Sequence, residues 1–324
     1  MPTNRRTRNA TRRSILALTG AALAASPAHA QTQKTARIGF LSASDPEPAW
    51  TLFRQAMTSL GHVEGRSIAY DYRAGTGSAA SLDPLAAEMV AKKVDIIVAL
   101  FTPSAVAAKR ATTSIPILFN GGGTDIGLVK NIARPEANIT GVFSPGAILG
   151  AKCLQLFREL KPSAKAIGAL FNEPDPFHIA LKRETEAAAR VLQVEFVPAM
   201  LKSREELPRA FETMAARGVD GVLVQPSLGL EAAGKLALAN RVPAFATRRG
   251  IAEHGGLFTY SPADADVARI LASYADRLLK GTRVADLPAQ ETPRFELVVN
   301  LKTARTIGLP MSPVFLSRAD EVIE

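Results

Sequence analysis

From residue 36 onward, short β-branched runs alternate with amphipathic helical windows, and few folds accommodate that order. Strands are predicted at 36–41, 67–72, 94–100, 115–119 and 139–142, with helices at 50–60, 82–92 and 103–112. The rhythm then repeats: strands at 166–171, 194–199, 219–224 and 242–246, helices at 148–160, 177–192, 204–217, 229–240 and 263–279. Within the 94–100 window, residues 96–100 are uninterrupted apolar sequence, as expected for a strand covered on both faces. Parallel neighbours are reached only through a crossover, so this order demands α/β architecture: parallel sheets with helices on both sides.

A chain of 324 residues has room for about two such units. Joints near 142–145 and 259–262 predict two lobes with more than one crossing between them. The expected division is 31–143 plus about 262–285 for the first lobe. The second takes 144–261 plus about 286–324.

The first thirty residues read as an address. Arg5, Arg6, Arg8, Arg12 and Arg13 make a basic head, residues 14–25 an apolar stretch, and Pro27-Ala28-His29-Ala30 a small-x-small cutting site. The mature chain is expected to start at Gln31. Thr11-Arg12-Arg13-Ser14-Ile15-Leu16 also resembles the twin-arginine export motif. No cysteine stands at the cut for a lipid anchor, which points to a periplasm. Removing the leader's five arginines leaves 34 basic against 30 acidic residues, too even a balance to drive nucleic-acid binding. The single cysteine, Cys153, excludes an internal disulfide framework and a cysteine-cluster metal site.

Ligands of open α/β sheets sit beyond the carboxyl ends of the strands. Here those loops are 42–46, 101–104, 120–125, 171–176, 225–228 and 247–250, rich in Ser, Thr, Asn and Gln. Thr102-Pro103-Ser104 opens a helix, where hydroxyls and free N–H groups suit a carboxylate, or simply cap the helix. Gly121-Gly122-Gly123-Thr124-Asp125 is either an anion-holding turn or a flexible connection. Asp45, Asp125, Glu173 and Asp175 are loop acids that could meet an ammonium group. Phe101 and Phe171 could wall an apolar portion, and Arg248-Arg249 could clamp an acid or stay solvated.

Catalytic signatures are missing from the sequence. There is no G-x-S-x-G elbow, no H-E-x-x-H and no Walker loop, and His62, His178 and His254 lack ligand spacing. No catalytic residue, metal ligand or cofactor is therefore expected.

The C-terminal run Arg294-Phe295-Glu296-Leu297-Val298-Val299-Asn300-Leu301-Lys302-Thr303-Ala304-Arg305-Thr306-Ile307-Gly308-Leu309 and the ending 318–324 closely resemble substrate-binding proteins of ABC transporters related to the tryptophan-binding TrpX proteins. Gly61-His62-Val63-Glu64-Gly65, Asn138-Ile139-Thr140-Gly141-Val142 and His254-Gly255-Gly256-Leu257 agree with it. The resemblance implies a type I periplasmic-binding fold: two Rossmann-like lobes joined by a multi-strand hinge. It implies a monomer that captures a small solute, an amino acid or related carboxylate, for an inner-membrane permease. By position in the family's loops, Ser42, Ser44, Thr102, Ser104 and Asn120 are the first-lobe ligand candidates. Asn172, Gln225, Ser227 and Thr247 are those of the second, and the loop reading adds Phe101, Gly121 and Asp125. Family members often show Gly-Gly-Asp-Pro after the fourth strand; here Thr124 intervenes and the proline is missing. A ligand sensor coupled to a membrane signalling protein, or an exported two-lobed enzyme, are the alternatives.

Overall fold

The computed structural model describes residues 35–44, 47–75, 78–122, 127–143 and 145–324. The leader with its cutting site at Ala30, and the loop acids Asp45 and Asp125, lie outside the described residues. The first half runs β1 (Ala36–Ser42), α1 (Ala49–Ser59), β2 (Ile68–Ala74), α2 (Ala79–Ala91), β3 (Ile96–Leu100), α3 (Phe101–Ala111), β4 (Ile117–Gly121) and β5 (Ile139–Phe143). The second runs α4 (Gly146–Leu160), β6 (Ala166–Asn172), α5 (Phe177–Val191), β7 (Glu195–Leu201), α6 (Leu207–Ala216), β8 (Gly221–Val224), α7 (Leu230–Ala239), β9 (Ala244–Ala246), α8 (Gly250–Glu253) and β10 (Phe258–Pro262). Then follow α9 (Asp264–Leu279), β11 (Gln290–Glu291), β12 (Phe295–Asn300), α10 (Leu301–Ile307), α11 (Pro313–Leu316) and β13 (Glu321–Ile323).

Two sheets result. The first has the order β11-β5-β4-β3-β1-β2 and is parallel throughout. Its strands alternate their burial between two cores, as the two-residue period of a strand requires. Ile38, Phe40, Val98 and Leu118 face α1 and α9 on one side; Leu41, Ile97, Ala99 and Phe119 face α2 and α3 on the other. Each such side chain contributes roughly 1.5–3 kcal/mol by leaving water. Gly141 is required where β5 passes β4: its φ is +152°, and a Cβ there would stand 2.1 Å from the Phe119 carbonyl oxygen.

The second sheet has the order β13-β12-β10-β9-β8-β6-β7. Phe157, Phe245 and Phe258 stack through its core, with successive ring centroids 5.1 and 5.0 Å apart. Here the purely parallel expectation is corrected, because β10 and β12 pair antiparallel. The reason is the path of the chain. It leaves the second sheet at Pro262 to place α9 on the first, adds β11 to that sheet beside β5, and returns at Phe295. A strand that leaves and a strand that returns run in opposite directions. With the passage between Phe143 and Gly146, the chain moves from one sheet to the other three times. The C-terminal edges of both sheets thereby face one cleft.

Candidate ligand-binding site

Two adjoining cavities occupy the cleft. Phe101, Pro226 and Arg248 line both and form the partition between them. Ser44 after β1 and Asn120 at the end of β4 face the larger cavity. Thr102, Gly121, Gln225, Ser227 and Thr247 face the smaller one. Of the remaining sequence candidates, Ser42, Ser104 and Asn172 are buried behind the walls without lining either cavity.

The second wall is built around a carboxylate. Asp175 accepts hydrogen bonds from Ser227 Oγ at 2.6 Å, Gln225 Nε2 at 2.8 Å and the Phe177 amide at 3.0 Å. Asn172 ties into the same set: its amide N–H donates to Gln225 Oε1 and its side-chain amide to Ser227 Oγ. Burial raises the Asp175 carboxyl above its ordinary range, against the lowering effect of these donors. Asn172 thus holds the wall's shape from behind, while Gln225, Ser227 and Asp175 present it to the smaller cavity.

The first wall differs from the capping expectation. α3 starts at Phe101 rather than after Thr102, so neither hydroxyl caps it. Thr102 Oγ1 donates to the Gly122 carbonyl at 3.3 Å. Ser104 Oγ is fully buried and has no partner among the described residues. Phe101 adopts a φ of +66°, a left-handed backbone uncommon for a bulky residue, and its ring lies 5.7 Å from the Arg248 guanidinium carbon. Phe171 offers no cover, since it is buried in the second core beside Phe196. Phe177 takes that place. Its ring fits against Gly122 and Gly146, where a Cβ at either position would come within 2.8 Å of it.

The family of ABC transporter substrate binding proteins matches residues 49–323. The chain belongs to that family. This substrate-binding protein is 26% identical over 264 residues to a tyrosine-binding protein of Clostridioides difficile, covering 79% of this chain and 75% of that one. Its fold matches a conserved domain protein from Vibrio cholerae at a TM-score of 0.80 and 23% identity, over 89% of this chain and all of the other. It also matches an ABC domain in complex with L-Trp from Streptococcus pneumonia at 0.79 and 22%, with the same coverage.

The paired arginines of the substrate-binding protein have separate roles. Arg249 is paired with two carboxylates, Glu253 at 2.6 Å and Glu321 at 2.5 Å, which raises its pKa further. Arg248 is neither solvated nor in close contact with a carboxylate among the described residues. Its side chain keeps 13% of its exposure, and it crosses the cleft to donate to Asn120 Oδ1 at 3.1 Å. Its other neighbour is Asp264 at the start of α9, with the nearest N and O atoms 3.6 Å apart. Burial lowers the Arg248 pKa and raises that of Asp264, each against the pull of the other's charge. Sequence reasoning missed Asp264 because β10 ends in proline and was not predicted as a strand, so the loop after it was not counted among the cleft loops.

Proposed function

We propose that this protein captures a small solute, an amino acid or a related carboxylate with aromatic ones included, between its two lobes and delivers it to a permease. The exported chain would work in the periplasm after cleavage near Ala30, with the closed lobes presenting a joint surface to the membrane partner. One observation carries the reading: Arg248 from one wall reaches Asn120 on the other across a lined cavity. A second contact, Arg204 to the Gly75 carbonyl at 3.5 Å, joins the lobes at the rim. A solute that touches both walls only when they meet shifts the equilibrium toward closure. Phe101 and Phe177 supply apolar cover, and Thr102 at the start of α3 supplies a hydroxyl. The tyrosine-binding relative and the L-Trp complex support the amino-acid class.

Thermal unfolding in the presence of the twenty amino acids and simple aromatic acids tests this. A ligand at a hundred times its Kd adds about 2.7 kcal/mol, a shift of several degrees. Native mass spectrometry of the freshly purified protein would give the mass of a retained solute. Absence of any stabilising small solute at millimolar concentration would overturn the reading.

A further inference from the structure

Resting on the solute-capture reading, we propose that Arg248 and Asp264 form the head-group subsite of the larger cavity and select a zwitterionic α-amino acid. Arg248 would hold the carboxylate and Asp264 the ammonium. Three observations converge on this pair. Both side chains line the same cavity, and their remaining exposure, 13% and 11%, is small. Both are under-used. Among the described residues, Arg248 donates one hydrogen bond, to Asn120, although a guanidinium carries five N–H donors. Asp264 accepts none from the described residues, and its distance of 3.6 Å to Arg248 is too long for one. A buried ion pair recovers its desolvation cost only when its spare donors and lone pairs are hydrogen-bonded. This pair lacks those bonds, so it suits an occupant that provides them.

The third observation is spacing. The two charges stand side by side, and an α-amino acid carries its carboxylate and ammonium on a single carbon. One head group can therefore meet both at once and complete each. A plain carboxylate would leave Asp264 buried without a donor, and a plain amine would leave Arg248 with Asn120 as its one neutral acceptor. Either omission penalises the wrong ligand, which is how a buried polar site discriminates. The larger cavity has two other acids, and both are engaged: Glu231 pairs with Lys235 at 2.5 Å and Glu47 accepts from Thr51 Oγ1 at 3.0 Å. Asp175 lines the smaller cavity and already accepts three hydrogen bonds from its own wall.

The experiment is a calorimetric titration of the full exported chain. The twenty amino acids are screened first. The tightest binder is then compared with its deaminated acid and its decarboxylated amine. The expected result is that both analogues bind at least about thirtyfold more weakly than the amino acid. Asp264→Asn should narrow the gap between amino acid and deaminated acid, and Arg248→Gln the gap between amino acid and amine. Circular dichroism melts report whether each variant folds, and the analogue comparison on the unmodified protein needs no variant. Equal affinity for the amino acid and either analogue overturns the proposal. So does binding of a neutral sugar or simple acid with no response to any amino acid, and solute capture would then still stand. Failure of every solute to bind would remove the capture reading itself, and this proposal with it.

Discussion

An aspartate stands beside a cation at each end of the second sheet, and the two pairs are built differently. At the end remote from the cleft, Asp220 is complete. Lys161 Nζ donates to Oδ1 at 2.5 Å, and the amides of Lys165 and Ala166 donate to Oδ2 at 2.6 and 3.1 Å. Burial alone would raise this carboxyl, but the three donors hold it below its ordinary range. At the cleft end, Asp264 and Arg248 stand 3.6 Å apart and the carboxyl is raised. Charge at the remote end organises strand entry. Charge at the cleft end is left incomplete, where a solute can finish it. The first lobe repeats the remote device, with the Arg37 amide donating to Asp95 Oδ2 at 2.7 Å.

The largest expected effect comes from breaking the complete pair. Asp220→Ala removes a charged acceptor from two backbone donors and a lysine, and should cost about 2–3 kcal/mol. A urea titration would show the lowered midpoint, with solute affinity unchanged because the residue lies far from the cleft. The same carboxyl predicts a pH signature. Its folded pKa lies below the ordinary 3.8, so its stabilisation is present above that value. It is lost as pH falls through 3.8 toward the folded value. The stability difference between wild type and Asp220→Ala should therefore hold steady above about pH 5 and shrink below it. A difference that grew in acid would mean the pair is not built as described.

The incomplete pair predicts the opposite sign. Replacing both members, Arg248→Gln with Asp264→Asn, removes two buried charges that desolvation disfavours. Unfolding free energy without solute should stay constant or rise by about 1 kcal/mol, while stabilisation by amino acids disappears. A loss of several kcal/mol without solute would place this pair in the same structural class as Asp220.

The same contrast governs what could be read from residues alone. The strand-helix rhythm gave two α/β lobes because the core strands are plain apolar runs: β3 reads Ile96-Ile97-Val98-Ala99-Leu100, with every residue buried. The C-terminal strands were less legible. β10 ends in Pro262, and β11 is two exposed residues recognisable only by pairing with β5. The antiparallel β10–β12 pair followed from a chain path that no local pattern records. In the cleft, the family resemblance, read by loop position, named Ser44, Asn120, Gln225 and Ser227, which line the two cavities. It could not say that Arg248 is buried while Arg249 is paired, since that depends on Glu321 arriving seventy-two residues later. Nor could it replace Phe171 by Phe177, because the choice is made by the space that Gly122 and Gly146 leave.

The smallest effect concerns the first wall and carries the comparison down to one atom. Ser104 Oγ is buried in the first turn of α3 with no partner among the described residues. A buried hydroxyl without a hydrogen bond bears a desolvation penalty that a methyl group does not. Ser104→Ala should therefore raise stability without solute by about 0.5–1 kcal/mol. If the hydroxyl is held back for a solute, the same variant should weaken amino-acid binding, so the two changes run in opposite directions. A variant that gains stability and binds as before would assign Ser104 to an imperfection of packing. One that loses stability would show that the hydroxyl has a bonding partner after all. Only opposed changes would extend the rule of the cleft, polar groups left unfinished where a solute completes them, from the charged pair to a neutral side chain on the facing lobe.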